Sequence, residues 1–281
     1  MTNEAGALSE ARFKIAAIQM TSTRDVERNL AAARALLEEA AAAGAKLAVL
    51  PENFSFLGAQ DSDRLAAAEP PGDGPAQRFL AQAAEELKLW IVGGTVPIRA
   101  EPGRAASRSL LFGPDGRLAA QYDKIHLFDV AIPGKESESY RESATTIPGM
   151  RVVTAATPFG RVGLTVCYDL RFPALFHRLG ALGMDILAVP AAFTVPTGQA
   201  HWRALLQARA IENLCYVVAA GQWGEHDGGR LTYGHSMILG PWGEVLAVRE
   251  SAPGVVCADV DMIELERIRQ TFPVLTHRRE L

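Results

Sequence analysis

Short apolar runs alternate with amphipathic stretches along most of the 281 residues. Phe13–Met20, Leu47–Leu50 and Trp90–Val96 read as strands, since each is a brief apolar run bounded by polar or turn residues. Between them, Arg28–Ala43 sets Leu30, Ala33, Leu37 and Ala40 on one face, with Gly44 as a C-terminal stop. Pro75–Lys88 carries a second helical period, and Arg108–Gly113 with Arg117–Tyr122 reads as a hairpin around Pro114-Asp-Gly116. The second half repeats the alternation. Helices are predicted over Phe172–Gly183, Ala200–Asn213 and Ile263–Thr271. Strands are predicted over Ile186–Pro190, Tyr216–Gln222, Tyr233–Leu239, Glu244–Glu250 and Val255–Val260, with Pro241-Trp-Gly243 as a turn. Asp129–Gly149 is mostly polar and is punctuated by Pro133-Gly134 and Pro148-Gly149, which predicts an irregular working loop.

No internal repeat, low-complexity linker or composition shift divides the chain. The pattern implies one domain over 1–281, with helices covering sheets and 1–12 as a flexible N-terminal extension. An apolar fraction of 48% and a charged fraction of 21% are ordinary for a soluble enzyme. The net charge of −4 leaves no electrostatic footprint for nucleic acid or an anionic membrane. No apolar stretch is long enough for a transmembrane helix, and Met1–Arg12 lacks the basic start and apolar core of a signal peptide. Three cysteines argue against a disulfide framework and for a reducing compartment, the cytoplasm. Cys215 and Cys257 lie in apolar runs and read as core packing.

Three segments carry candidate chemistry. In Arg161-Val-Gly-Leu-Thr-Val-Cys-Tyr-Asp-Leu-Arg-Phe-Pro173, an apolar run ends at Cys167, and Pro173 suits the first position of a helix. A thiol on such a strand-to-helix turn faces a cleft, and the next backbone N–H groups can point at whatever it attacks. Lys46-Leu-Ala-Val-Leu-Pro-Glu-Asn-Phe54 delivers Glu52 just past a strand end. Gln121-Tyr-Asp-Lys-Ile-His-Leu-Phe128 places Lys124 among aromatic and polar neighbours rather than in a charged surface run. Alone, Glu52 reads as a capping carboxylate, Lys124 as a solvated cation and Cys167 as a buried thiol.

Together, in this order, the three segments resemble the nitrilase superfamily, the carbon–nitrogen hydrolases. The resemblance runs from Phe13 to Arg279. It implies a four-layer α-β-β-α sandwich, assembly as a homodimer or higher homo-oligomer, and a catalytic triad of Glu52, Lys124 and Cys167. A further family glutamate falls best on Glu142, with Glu136 and Glu138 nearby. The resemblance also implies an oxyanion site formed by Lys124 and the backbone N–H of Tyr168, and chemistry that needs no metal or organic cofactor. Many relatives carry Glu where this chain has Ala174, a difference expected to affect local packing rather than catalysis.

Thr197-Gly-Gln-Ala-His-Trp202, Gln222 after its apolar run, Tyr233-Gly-His-Ser-Met237 and Pro241-Trp-Gly243 resemble the Nit branch of the superfamily. That implies a small linear amide as substrate, foremost deaminated glutathione, cleaved to 2-oxoglutarate and cysteinylglycine. The alternatives are 2-oxoglutaramate and N-carbamoyl amino acids. A non-enzymatic scaffold has no need for all three triad residues. Phe193, Thr194 and His201, placed after a strand and at a helix start, are candidates to line the site. Arg171 could meet a substrate carboxylate, and Asp169 with Arg171 could form an ion pair that fixes the turn. Rival sites are weaker. Ile238 stands where a serine elbow around Ser236 needs glycine. His126, His201 and His235 lack metal-binding spacing, and the latter two read as hydrogen-bonded supports. Arg278-Arg279 reads as a solvated tail or an interface contact.

Overall fold

The computed structural model describes residues 11–60, 62–132 and 135–279, without the side chains of 132 and 135–138. Two sheets face each other. The first runs in spatial order Gly254–Asp261, Arg12–Gln19, Ala45–Val49, Trp90–Val92, Arg104–Phe112 and Val96–Glu101, with Leu118–Asp123 and Thr146–Ile147 also paired to Arg104–Phe112. The second runs Val153–Thr157, Gly160–Leu164, Ile186–Ala191, Tyr216–Gly221, Ser236–Leu239 and Val245–Arg249. Both are parallel at their centres and antiparallel outside, apart from the parallel pairing of Thr146–Ile147 with Arg104–Phe112.

Alternating side chains explain the layering. In Arg12–Gln19, Ile15 and Ala17 join the core shared with the second sheet. Ala16 and Ile18 join the core formed with Val26–Ala42 and Pro75–Leu87. Central strands sandwiched this way are apolar on both faces, as in Ile186–Ala191, where every residue is buried. Leu175, Phe176, Leu179, Leu206 and Ala210, from Pro173–Ala181 and Arg203–Asn213, cover the second sheet's outer face. The result is the α-β-β-α sandwich expected.

Helix ends follow their caps. Asp25 accepts the Arg28 N–H at 3.0 Å, and Pro75 and Pro173 open their helices, where a missing N–H costs nothing. The buried face of the first helix is Asn29, Ala33, Leu37 and Ala40, so Asn29 takes the place expected for Leu30. Its amide satisfies the Thr23 N–H and the carbonyls of Thr23 and Ser55, which ties the helix start to the loop after Glu52.

Several expectations need correction. Among the described residues, most of the stretch from Asp129 to Gly149 is regular rather than irregular. Asp129–Ile132 and Lys135–Arg141 form an antiparallel ribbon, and Thr146–Ile147 joins the first sheet. Backbone pairing alone builds such a ribbon, so no apolar run announces it. Trp90–Val96 and Tyr233–Leu239 are each broken. Gly94 has φ +45°, and Gly234 and His235 have φ +71° and +53°, conformations that end a strand. Ala200–Asn213 begins as a wide π-type turn over Gly198–Trp202. Arg278 is no solvated tail. It donates to the Glu212 carbonyl and the Asn213 side chain, capping the helix end there. Ala174 is exposed on the single chain. Most of the expected N-terminal extension, residues 1–10, lies outside the described residues, and Arg12 already begins a strand. None of the described helices is long and apolar enough to cross a membrane.

Candidate active site

Glu52, Lys124, Glu142 and Cys167 converge at one end of the sandwich, where parallel strands of both sheets finish. Each arrives on a backbone held for the purpose. Glu52 follows the strand Ala45–Val49. Its carbonyl accepts from Gln222 Nε2 at 3.0 Å, and the next residue, Asn53, has φ +59° and donates its N–H to Thr95 Oγ1 at 2.8 Å. A Cβ on Gly94 would lie 2.0 Å from the Pro51 carbonyl, so only glycine lets that loop close. Lys124 follows the strand Leu118–Asp123 and is fixed by backbone bonds to Ser107 and Gly149.

Cys167 itself has φ +47°, a conformation that costs a non-glycine residue energy and that its surroundings must impose. Asp169 supplies the restraint. Its carboxylate accepts from the Val166 N–H at 2.9 Å, the Tyr122 hydroxyl at 2.8 Å and the His126 N–H at 3.0 Å, and lies 2.7 Å from His126 Nδ1. His126 stacks on Phe172 with ring centroids 3.7 Å apart. Asp169 is therefore committed to the turn and to the Lys124 segment. The expected Asp169–Arg171 ion pair does not form.

Lys124 Nζ donates to Glu52 Oε1 and Glu142 Oε2, each at 2.8 Å, and all three side chains are buried. Glu142 also accepts from the Phe128 N–H at 2.8 Å and from Arg64 Nη1 at 3.2 Å. Burial works against the Lys124 ammonium, but the carboxylates of Glu142 and Glu52 outweigh it and hold the pKa above the ordinary lysine value. Burial likewise works against ionised Glu142, yet Lys124 and Arg64 prevail and bring it down to about 2. Burial pushes the Cys167 thiol well above its ordinary value, the Glu52 carboxylate adds to this, and Lys124 opposes it. At rest Cys167 is a neutral thiol beside a carboxylate, an arrangement suited to proton transfer during attack rather than to a standing thiolate.

The cleft over Cys167 holds about 470 Å³, its open mouth included. The structure brings Glu52, Lys124, Glu142, Cys167, Tyr168, Arg171 and Phe193 to its wall. Thr194 and His201 do not line it. Thr194 Oγ1 lies 2.8 Å from Thr197 Oγ1, and His201 Nδ1 sits 3.2 Å from Arg171 Nη1 behind the wall. Arg171 lies over the rings of Phe193 and Tyr168, at 5.4 and 5.9 Å. Sequence reasoning missed Asn53, Arg64, Phe128, Tyr140, Thr197 and Arg230 on the same wall. Arg64 and Arg230 look like surface cations in polar stretches, and only the folded chain carries them to the cleft. Glu136 and Glu138, the alternatives to Glu142, have side chains outside the described residues. Among the described residues no group of three or more His, Cys, Asp or Glu could hold a metal ion. Cys215 is buried and its thiol is pushed up to about 12 by burial, while Cys257 is half-buried.

The carbon–nitrogen hydrolase family profile matches residues 14–270. The chain is 43% identical over 270 residues to the deaminated glutathione amidase of Synechocystis sp., covering 95% of this chain and 98% of that protein. It is 41% identical over 270 residues to the deaminated glutathione amidase of Homo sapiens, covering 94% and 82%. Among solved structures, that of the Caenorhabditis elegans NitFhit protein superposes with a TM-score of 0.87 at 37% identity. The superposition covers 95% of this chain but 65% of that longer one.

Proposed function

The chain belongs to the carbon–nitrogen hydrolase family, and on that premise we propose that it cleaves deaminated glutathione to 2-oxoglutarate and cysteinylglycine through a thioester on Cys167. One observation carries the reading: a neutral thiol, a carboxylate and a doubly paired ammonium share one buried pocket. Glu52 takes the thiol proton as sulfur attacks the amide carbonyl. Lys124 and the Tyr168 N–H stabilise the oxyanion, each such donor being worth on the order of 10²–10³ in rate. As the intermediate collapses, Glu52 returns the proton to the departing nitrogen and cysteinylglycine leaves. Glu52 then takes a proton from water, which attacks the thioester. The acid departs and the thiol regains its proton. Glu142 keeps Lys124 charged and aimed throughout. The substrate assignment draws on the names of the similar amidases and on a cleft rich in arginine.

The test measures Cys167-dependent release of 2-oxoglutarate from deaminated glutathione and from 2-oxoglutaramate. The expected kcat/KM favours deaminated glutathione at least tenfold, about 1.4 kcal/mol of transition-state discrimination. The reverse preference would make 2-oxoglutaramate the substrate, and no release from either would remove both.

We also propose that the chain assembles as a homodimer or higher homo-oligomer in the cytoplasm. Support for assembly is an apolar surface on which Trp242 packs edge-on against Phe272 at 5.1 Å while both stay about half exposed, with Ile211 beside Gly243. Unpaired cysteines fit a reducing compartment. Sedimentation velocity at micromolar concentration is expected to give a dimer or larger species, and Trp242→Glu to shift it toward monomer. A wild-type monomer would remove the proposal.

A further inference from the structure

Four cations reach the cleft wall, and two of them are already committed. Lys124 is held by two carboxylates and Arg64 by Glu142. Arg171 and Arg230 have no carboxylate partner among the described residues. Arg230 opens the strand Leu231–Tyr233, which pairs with Trp223–Glu225 in a ribbon at the cleft's edge. Its guanidinium lies 5.0 Å over the Tyr140 ring, and Nη2 reaches the Ala192 carbonyl at 3.4 Å. Its Nε is buried and has no hydrogen-bond partner among the described residues, a state that costs free energy.

The ribbon is not loose. Trp223 N–H donates to Met20 at 2.8 Å, Tyr233 N–H to Phe193 at 2.9 Å, and Arg24 N–H to Asp227 Oδ2 at 2.7 Å. His226 is buried between the Ser22 carbonyl and Thr232 Oγ1, at 2.8 and 2.6 Å. Arg230 is thus delivered on a fixed support, which reduces what it must lose in freedom on binding an anion. Aromatic contacts separate it from Arg171. Arg171 caps Tyr168, Tyr168 meets Phe128, Phe128 meets Tyr140, and Arg230 caps Tyr140.

We propose that Arg230 determines leaving-group specificity by binding a carboxylate on the amine that departs, such as the C-terminal carboxylate of a dipeptide. The proposal rests on the substrate reading above and deepens it. Deaminated glutathione carries two carboxylates on opposite sides of the scissile amide, and the cleft offers two guanidiniums with no carboxylate partner among the described residues. Arg171 lies on the same short turn as Cys167 and keeps a fixed relation to the acyl group through the thioester stage. Arg230 comes from a separate element, so it is the one placed for the half that leaves. A planar guanidinium can grip a carboxylate with two parallel bonds.

The test compares deaminated glutathione with the same compound bearing a carboxamide in place of its glycine carboxylate. Wild type is expected to favour the free acid by about tenfold to a hundredfold in kcat/KM, the size of a charge-assisted pair. Arg230→Gln is expected to reduce that preference to near unity, and Arg230→Lys to retain part of it. Because the readout is a ratio within one protein, partial loss of folded enzyme cancels. A preference unchanged in Arg230→Gln overturns the proposal. A wild type that hydrolyses both compounds equally overturns it while leaving the amidase reading intact. A wild type that hydrolyses neither overturns both.

Discussion

At the scale of residues, the central question is how a buried neutral thiol becomes a nucleophile. Two effects of Glu52 oppose each other. Its negative charge disfavours the thiolate, while its free oxygen can accept the thiol proton. Replacing Glu52 by Gln separates them. If Glu52 acts as base, alkylation of Cys167 by iodoacetamide slows and amide hydrolysis falls on the order of 10²–10⁴. If Glu52 acts only through its charge, Lys124 then dominates the thiol and alkylation quickens. Faster labelling in Glu52→Gln would sink the base assignment. Glu52, Lys124 and Cys167 were legible as candidates because each stands in a distinctive local sequence, Leu-Pro-Glu, Tyr-Asp-Lys-Ile-His and Cys-Tyr-Asp-Leu-Arg, and the structure brings them into one cleft. Arg64, Tyr140 and Arg230 were not, since a side chain that enters a cleft by tertiary placement leaves no local pattern. Thr194 was misplaced for the same reason. Its neighbour Phe193 reaches the wall, but its own hydroxyl is engaged with Thr197.

At the scale of elements, legibility follows burial. Strands covered on both faces, such as Ile186–Ala191 and Tyr216–Gly221, are continuous apolar runs and were readable to within a residue or so. Val153–Thr157 mixes threonine and alanine at an edge and gives no such signal. The ribbon of Asp129–Ile132 and Lys135–Arg141 gives even less, yet it carries Tyr140 to the cleft and leads into Glu142. Pro133-Gly134, which had suggested a loop, lie outside the described residues. The breaks inside predicted strands fall at residues with positive φ. Gly94 leaves its strand early to admit the Pro51 carbonyl beneath the Glu52 loop, and Gly234 and His235 turn away beside Trp223 and Gln19. At Gly94 the strand is cut short where the chain must hold the Glu52 loop.

At the scale of the whole molecule, the two sheets are tied near the active end by buried amides. Gln19 accepts both from the backbone and from the hydroxyl of Ser236 at 2.9 Å, and Gln222 reaches Ser22 and the Glu52 carbonyl. The buried cluster of Glu52, Lys124, Glu142 and Cys167 is a third tie, because Glu52 and Lys124 come from the first sheet's side and Cys167 from the second's. It makes global stability depend on pH. Glu142 ionises at about 2 in the fold against 4.5 ordinarily. A carboxylate with a depressed pKa stabilises the fold fully above its unfolded value, and that contribution is lost as pH falls from about 4.5 toward 2. Glu142→Gln removes the charge while keeping the shape. Near neutral pH it leaves Lys124 with one carboxylate in place of two, a loss of about 3 kcal/mol, at the lower end for breaking a buried pair. For a chain of this size the melting temperature should drop by about 5 °C. Lowering the pH protonates Glu142 in the wild type and makes the two proteins alike, so the gap should narrow steadily below pH 4.5. Calorimetry across that range decides the matter. A gap that stays constant would mean that Glu142 stabilises by packing rather than by charge, and that Lys124 does not depend on it to remain an ammonium.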